Sequence, residues 1–421
     1  MLNIAALFIT VTALFSWFNY RFIRLPATIG VMVIALVMSL ALIALDHLGF
    51  TLVTDLTEQW LGSINFNALL MDGMLSFLLF AGALHVDINK LKRYRYSIGF
   101  LASVGVVVST LAIGSAAWWL FATFSIHVPY LYCLVFGALI SPTDPIAVLG
   151  IMQNAGAPED METKIVGESL FNDGVAVVVF TLLAAAATSG AQLTATHSLI
   201  LFAEEAGGGL LLGFVMGYIA YQMMKSIDQY QVEVLISLAL VLGGYALATW
   251  IEVSGPIAMV IAGLFIGNRG REHAMSDNTR RYVDGFWELI DEILNAVLFV
   301  LIGLELLLIP FEWGYLMVAA PLVVIILAVR LTTIGLPLMA MRHWVDYRRG
   351  TTRVLTWGGL RGGISVALAL GLPDSDYREP IVMITYIIVL FSILVQGLTI
   401  GKLVAHVVPG GDRSSDTTKH H

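Results

Sequence analysis

Ser141-Pro142-Thr143-Asp144-Pro145 stands at the centre of an apolar stretch running from about 130 to 152. A stretch of that length can cross a bilayer as a helix, which takes roughly 20 residues. Two prolines, however, remove two backbone donors and free carbonyls in mid-span. Lipid does not tolerate such groups unless protein or an aqueous cavity covers them. Freed carbonyls are cation ligands, and Asp144 adds a carboxylate at a depth where a charge costs about 2.5–3.5 kcal/mol. That carboxylate needs a partner or a purpose; a proline kink with a satisfied aspartate is the plainer alternative.

A second interruption, Gly358-Gly359-Leu360-Arg361-Gly362-Gly363, lies near the centre of the apolar stretch 354–372. Windows of about 19 residues place these two stretches among thirteen candidate spans. The first seven lie near 2–20, 26–45, 66–86, 97–122, 130–152, 162–188 and 197–224. The other six lie near 230–250, 254–268, 282–309, 313–342, 354–372 and 378–407. Thirteen divides into six, one and six, and an odd linker span forces the second six into the membrane upside down. The two interrupted stretches are then the fifth span of each half. Inverted halves with matching broken helices at mid-membrane are the architecture of secondary transporters, whose binding site sits at the breaks.

Composition agrees, with 421 residues of which 58% are hydrophobic and 12% charged, against about 45–50% and about 25% in soluble domains. A mean hydropathy of +0.86 excludes an ordinary water-soluble protein. One cysteine, Cys133, excludes an internal disulfide, and no CxxC or HExxH stretch offers a metal site. The net charge of −8 averages membrane and solvent groups and gives no sign of nucleic-acid binding. Every Lys and Arg except Arg330, Arg361 and Arg378 falls in loops after odd-numbered spans or at the C-terminal end. By the positive-inside rule the N-terminus is outside and the C-terminus cytoplasmic. Residues 1–20 lack a basic leader and cleavage site, so they read as a retained span. A short polar tail runs from 410 to 421.

Past the first break, Gly167-Glu168-Ser169-Leu170-Phe171-Asn172-Asp173-Gly174 puts Glu168, Ser169, Asn172 and Asp173 on one helix face. Two carboxylates, a hydroxyl and an amide on one strip are oxygen ligands for a hard monovalent ion. Asp173 is nearest mid-membrane, where a carboxylate is neutralised by either a proton or a metal cation. Competition of that kind is the minimal chemistry of exchange. Arg361 cannot deprotonate to escape its burial, so a carboxylate must lie close, and Glu168 is the expected partner. The pair serves either transport or charge compensation alone. Arg330 also lies within a span, with no partner evident from sequence.

Asp284, Glu288, Asp291 and Asn295 form an acidic stripe at spacings of 4, 3 and 4. The stripe either lines an ion funnel or faces water and neighbouring helices. Gly209, Gly213 and Gly217 have the small-xxx-small spacing of close helix packing, within one subunit or between two. The histidines lie in loops, near span ends or in the tail.

The three motifs, in this order and each in its expected span, resemble the sodium/proton antiporters of the monovalent cation:proton antiporter-1 family, the NhaP/NHE type. The resemblance implies an all-α polytopic membrane protein with the NhaA-like antiporter fold, about 13 helices in two inverted six-helix repeats with broken crossing helices. It implies a homodimer in a prokaryotic inner membrane, serving sodium and pH homeostasis without enzyme activity or cofactor. Scaffold and dimerisation helices would occupy 1–96 and 189–309, and the transporting core 97–188 and 310–409. Carried over, Asp173 is the ion- and proton-binding carboxylate, Ser169 and the Thr143 carbonyl complete a Na+ site, and Asp144 is an acidic helper. Asn172 supports the site, and Glu168 with Arg361 forms a structural ion pair. Asn172 preceding Asp173 resembles electroneutral, one-for-one exchangers of Na+ for H+, with Li+ a further substrate. One departure is Phe80-Ala81-Gly82, where prokaryotic relatives often carry Phe-Glu-Gly.

A K+/H+ exchanger of the same family is the nearest alternative. A passive cation channel would have no use for the inverted repeat. An intramembrane aspartyl protease built on Asp144 and Asp173 would show Tyr-Asp and Gly-x-Gly-Asp signatures, and neither occurs.

Overall fold

The computed structural model describes residues 2–48, 69–189, 195–305, 313–340, 350–373 and 375–407. Among them the regular structure is helical, apart from one isolated β-bridge between the two breaks. In order come α1 (Leu2–Phe18), α2 (Ala27–His47), α3 (Leu75–Leu84), α4 (Ile88–Arg93), α5 (Arg95–Ala102), α6 (Val104–Thr123), α7 (Tyr130–Ile140) and α8 (Ile146–Asn154). Then follow α9 (Glu159–Ser189), α10 (Ala195–Lys225), α11 (Tyr230–Trp250), α12 (Gly255–Phe265), α13 (Arg271–His273) and α14 (Asp277–Glu305). The last are α15 (Trp313–Ala340), α16 (Thr351–Gly358), α17 (Gly363–Leu370), α18 (Arg378–Phe391) and α19 (Leu398–Val407). Helix thus falls in each candidate window, and among the described residues eight helical segments are long and apolar enough to cross a membrane. The tail from 410 and the loop arginines Arg342, Arg348 and Arg349 lie outside the described residues.

The helices sort by contact into two groups. In one, α6 packs on α7 and α15, α7 on α9 and α17, and α18 on α15 and α17. In the other, α10 packs on α12, α12 on α3, and α14 on α1, α2 and α11. The two groups meet where α9 lies along α12.

Small residues set the closest approaches. A Cβ at Gly137 would fall on the Thr110 carbonyl of α6, so α7 and α6 cross backbone to backbone. The stripe at 209, 213 and 217 packs inside the chain: a Cβ at Gly213 would strike the Ala258 carbonyl of α12. Without a hydrophobic drive between helices in lipid, such close contact is what holds them together. The other face of α10 carries exposed Leu210, Leu211, Phe214 and Tyr218, as a surface against acyl chains would.

Candidate functional site

α7 stops at Ile140 and α8 starts at Ile146, while α16 stops at Gly358 and α17 starts at Gly363, and the two gaps touch. The Asp144 amide donates to the Leu360 carbonyl at 2.8 Å, making the β-bridge. The first break has carbonyls without helical donors, and the second supplies the donor. Arg361 is 3% exposed, and its Nη1 donates to the carbonyls of Ser141 and Pro142 at 2.6 and 2.8 Å. Its own amide donates to Ser392 Oγ at 2.9 Å, and Ser392 Oγ donates to Gln396 Oε1 at 2.8 Å. Both residues belong to a π-helical turn, Ser392–Gly397, of the kind that often marks functional positions.

Arg361 therefore does not pair with Glu168 as the sequence suggested. Glu168 is held by Arg330, with Nη1 to Oε1 at 2.7 Å and Nη2 to Oε2 at 3.2 Å. Arg330 Nη2 also reaches the Leu355 carbonyl at 3.3 Å. The reason is steric as much as electrostatic: a Cβ at Gly359 would fall on the Arg330 guanidinium, and only glycine lets α15's arginine through the break. Both partners are buried, so the pair closes its charges with a forked geometry rather than with water.

On α9, Ser169, Asn172 and Asp173 face the first break. Asn172 Nδ2 donates to Thr143 Oγ1 at 2.9 Å, its Oδ1 accepts from the Thr143 amide at 3.4 Å, and Thr143 Oγ1 shares a hydrogen bond with Ser169 Oγ at 2.9 Å. Thr143 is thereby fixed from both sides. Asp173 is 6% exposed, and its Oδ1 meets no hydrogen-bond donor. Asp144, half-buried, lies against Gly362, where a Cβ would displace its carboxylate.

Asp173, Asp144 and Thr143 line a cavity of ≈ 750 Å³, whereas Ser169 and Asn172 stand behind Thr143. The mouth of the cavity carries Glu162 and an exposed ion pair between Lys90 and Glu159. The Glu159 hydrogen bond holds the Lys90 ammonium above the usual lysine range. The acidic stripe divides: Glu288 and Asp291 line the cavity, Asp284 pairs with Arg271 at 2.5 Å, and Asn295 is buried with Oδ1 unpartnered. Ala81 and Gly82 form part of the wall.

Ser365 was not singled out from sequence, yet it lines the cavity with its buried Oγ unpartnered. The only signal was its place as the single hydroxyl in an apolar helix just past the glycines. Lys164, with no mark in the sequence, is 2% exposed and lies 4.6 Å from the Tyr94 ring and 3.5 Å from Asp160. At the foot of the cavity stand two carboxylates and hydroxyl oxygens, the donor chemistry preferred by hard cations.

A family model described as sodium/hydrogen exchanger, transmembrane, matches residues 8–406. The Na(+)/H(+) antiporter NhaP of Pseudomonas aeruginosa is 54% identical, over 97% of this chain and 98% of that protein. The Na(+)/H(+) antiporter NhaH of Halobacillus dabanensis is 34% identical, over 91% and 92%. The solved structure of the sodium proton antiporter MjNhaP1 from Methanocaldococcus jannaschii superposes with a TM-score of 0.70 at 18% identity, over 96% of this chain and 97% of that one, a likeness of fold.

Proposed function

The chain belongs to the sodium/hydrogen exchanger family, and from that premise we propose that it exchanges Na+ for H+ across its membrane by alternating access. It is an integral membrane protein. Asp173 takes the cation on one side, the core moves, and a proton displaces the cation on the other. A carrier that crosses only when loaded with one of the two follows the gradients, each pH unit supplying about 1.4 kcal/mol per proton.

The observation that carries this reading is Asp173 itself: a buried carboxylate with an unanswered oxygen, at the foot of a cavity between two broken helices. An ionised group in that position is costly alone and is relieved by a cation or a proton, one at a time. Thr143 and Ser169 complete the Na+ site, Asp144 raises the negative charge near it, and Asn172 holds Thr143. Glu168 and Arg330 fix the core's charge, while Arg361 ties its two breaks together. The core comprises 97–188 and 310–409, and it moves against 1–96 and 189–309, which also supply the dimer contact. The cavity mouth, with its basic loops, faces the cytoplasm, so this conformation is open inward. Exchange is one for one and electroneutral, with Li+ accepted; K+ is disfavoured by the sodium named for the relatives.

The test is dissipation of a pH gradient in proteoliposomes on adding Na+, Li+ or K+, with the membrane potential clamped. Wild type moves protons with Na+ and ignores the clamp, and Asp173→Asn loses at least nine-tenths of the rate. Proton movement without a cation, or persisting in Asp173→Asn, would move the channel reading to the front.

A further inference from the structure

Away from the cavity, a second set of polar side chains is enclosed where α11 meets the start of α14. Glu233, in the first turn of α11, is wholly buried. Its Oε1 lies 3.2 Å from Thr279 Oγ1, and its Oε2 meets no donor. The same Thr279 hydroxyl lies 3.4 Å from Oδ1 of Asp228, an exposed residue of the loop between α10 and α11. Ser276 Oγ donates to that Asp228 oxygen at 2.7 Å while accepting from the Thr279 amide at 3.3 Å.

If Glu233 is ionised, its Oε2 is left buried with no donor. A hydroxyl has one hydrogen, so Thr279 can satisfy Asp228 or Glu233 but not both. Asp228 already takes the Ser276 hydrogen, which frees that of Thr279 for Glu233 Oε1, and Glu233 Oε2 is still unanswered. Asp228 is exposed and can be served by water; Glu233 cannot. Of the elements packed on α11, α3 and α12 carry no ionisable side chain at all. Among the charged groups of α10, of α14 and of the adjoining loop, Asp228 is the one whose charge acts on Glu233, and it is of the same sign. A buried, unpaired carboxylate costs several kcal/mol.

We infer that Glu233 carries a proton and donates it to Thr279 Oγ1, which donates in turn to Asp228, making a proton-binding site distinct from Asp173. The relay runs Glu233 Oε1–H to Thr279 Oγ1–H to Asp228 Oδ1, with its outer end in water. Thr279 sits in the first turn of α14, and later turns of that helix bring Glu288, Asp291 and Glu292 to the cavity wall. Removing the proton leaves a buried carboxylate with an unanswered oxygen close to Asp228 and loosens the seat of that helix. The site thus reads the pH of the water at this end and sets how firmly the cavity wall is anchored. It stands whatever ion the cavity carries.

The experiment is infrared spectroscopy of the full chain in lipid nanodiscs, in H2O and D2O at pH 7, with thermal melts from pH 6 to 9. The expected result is a protonated-carboxyl C=O band that is deuterium-sensitive in wild type and missing in Glu233→Gln. The amide of Glu233→Gln still donates to Thr279, so its melting temperature at pH 7 stays near wild type and loses the wild-type fall toward pH 9. A carboxyl spectrum unchanged in Glu233→Gln, or the same pH profile of melting in both, would overturn the inference. Thr279→Val, which removes the acceptor, shifts the band without abolishing it; a band unmoved in Thr279→Val overturns it equally, should Glu233→Gln fail to fold.

Discussion

Between 141 and 145, prolines take donors away from the backbone; between 359 and 362, glycines take side chains away from it. The first break is left with carbonyls of Ser141 and Pro142 in need of hydrogen, and the second is left with space, into which Arg330 and the Asp144 carboxylate fit. Arg361 closes the exchange by sending its guanidinium from the glycine break to the proline break. Each break answers the other, since the Asp144 amide donates in return to the Leu360 carbonyl. Two broken helices can cross in a membrane when the polar groups each one frees are answered by its counterpart, which neither lipid nor a second proline break could do.

Arg361→Leu breaks that complementarity most severely. Two buried carbonyls lose their donor at about 1–3 kcal/mol each, so folded yield and melting temperature in detergent fall sharply while Arg330 and Glu168 stay paired. A variant as stable as wild type would mean that water or another side chain answers those carbonyls. Gly362→Ala tests the space on the other side. A Cβ there displaces the Asp144 carboxylate, and overpacking of this kind costs about 1–3 kcal/mol; the expected outcome is a stably folded chain whose exchange is slowed about tenfold. Unchanged exchange would separate Asp144 from transport altogether.

The smallest effect belongs to Lys90→Gln, at the cavity mouth and remote from both breaks. Because Glu159 holds the Lys90 proton above the ordinary lysine range, that attraction is fully present below the free-lysine value of about 10.4. It is lost only as pH rises through the higher, folded-state value. Exchange by Lys90→Gln between pH 6 and 9 should therefore stay within about twofold of wild type, as expected for an exposed, screened pair. A larger change measured in low-salt proteoliposomes would make the mouth an electrostatic control point and weaken the contrast between the breaks and their surroundings.

The breaks themselves were legible because proline, glycine and charge are conspicuous in apolar sequence, and Asp173 because few carboxylates stand so deep. Partnership was less legible. Two arginines lay within spans and one carboxylate was near enough to suggest itself; Gly359 decided which arginine reached Glu168, and the room made by an absent side chain is visible only in three dimensions. The stripe at 209, 213 and 217 announced close packing without saying against what, since its spacing fits any small-faced helix; the Ser254 and Ala258 carbonyls settle it. Glu233 gave no signal, because an acid in the first turn of a helix is ordinary by its favourable dipole interaction. Only its burial and its unanswered Oε2 set it apart.

The pairing of Glu168 with Arg330 spans 162 residues, which has a consequence for synthesis. At about 5–20 residues per second, the ribosome needs roughly 8–30 s after placing Glu168 before its arginine exists. Throughout that interval the nascent sixth span carries an acid into the membrane with no counter-ion. It is held there by protonation, by the insertion machinery, or by lingering at the lipid surface. Chains arrested just short of residue 330 should accordingly be extracted from the membrane by alkali more readily than chains arrested beyond residue 360, with Glu168→Gln removing the difference. The second half is thus the counter-ion that makes the first half's place in the bilayer permanent.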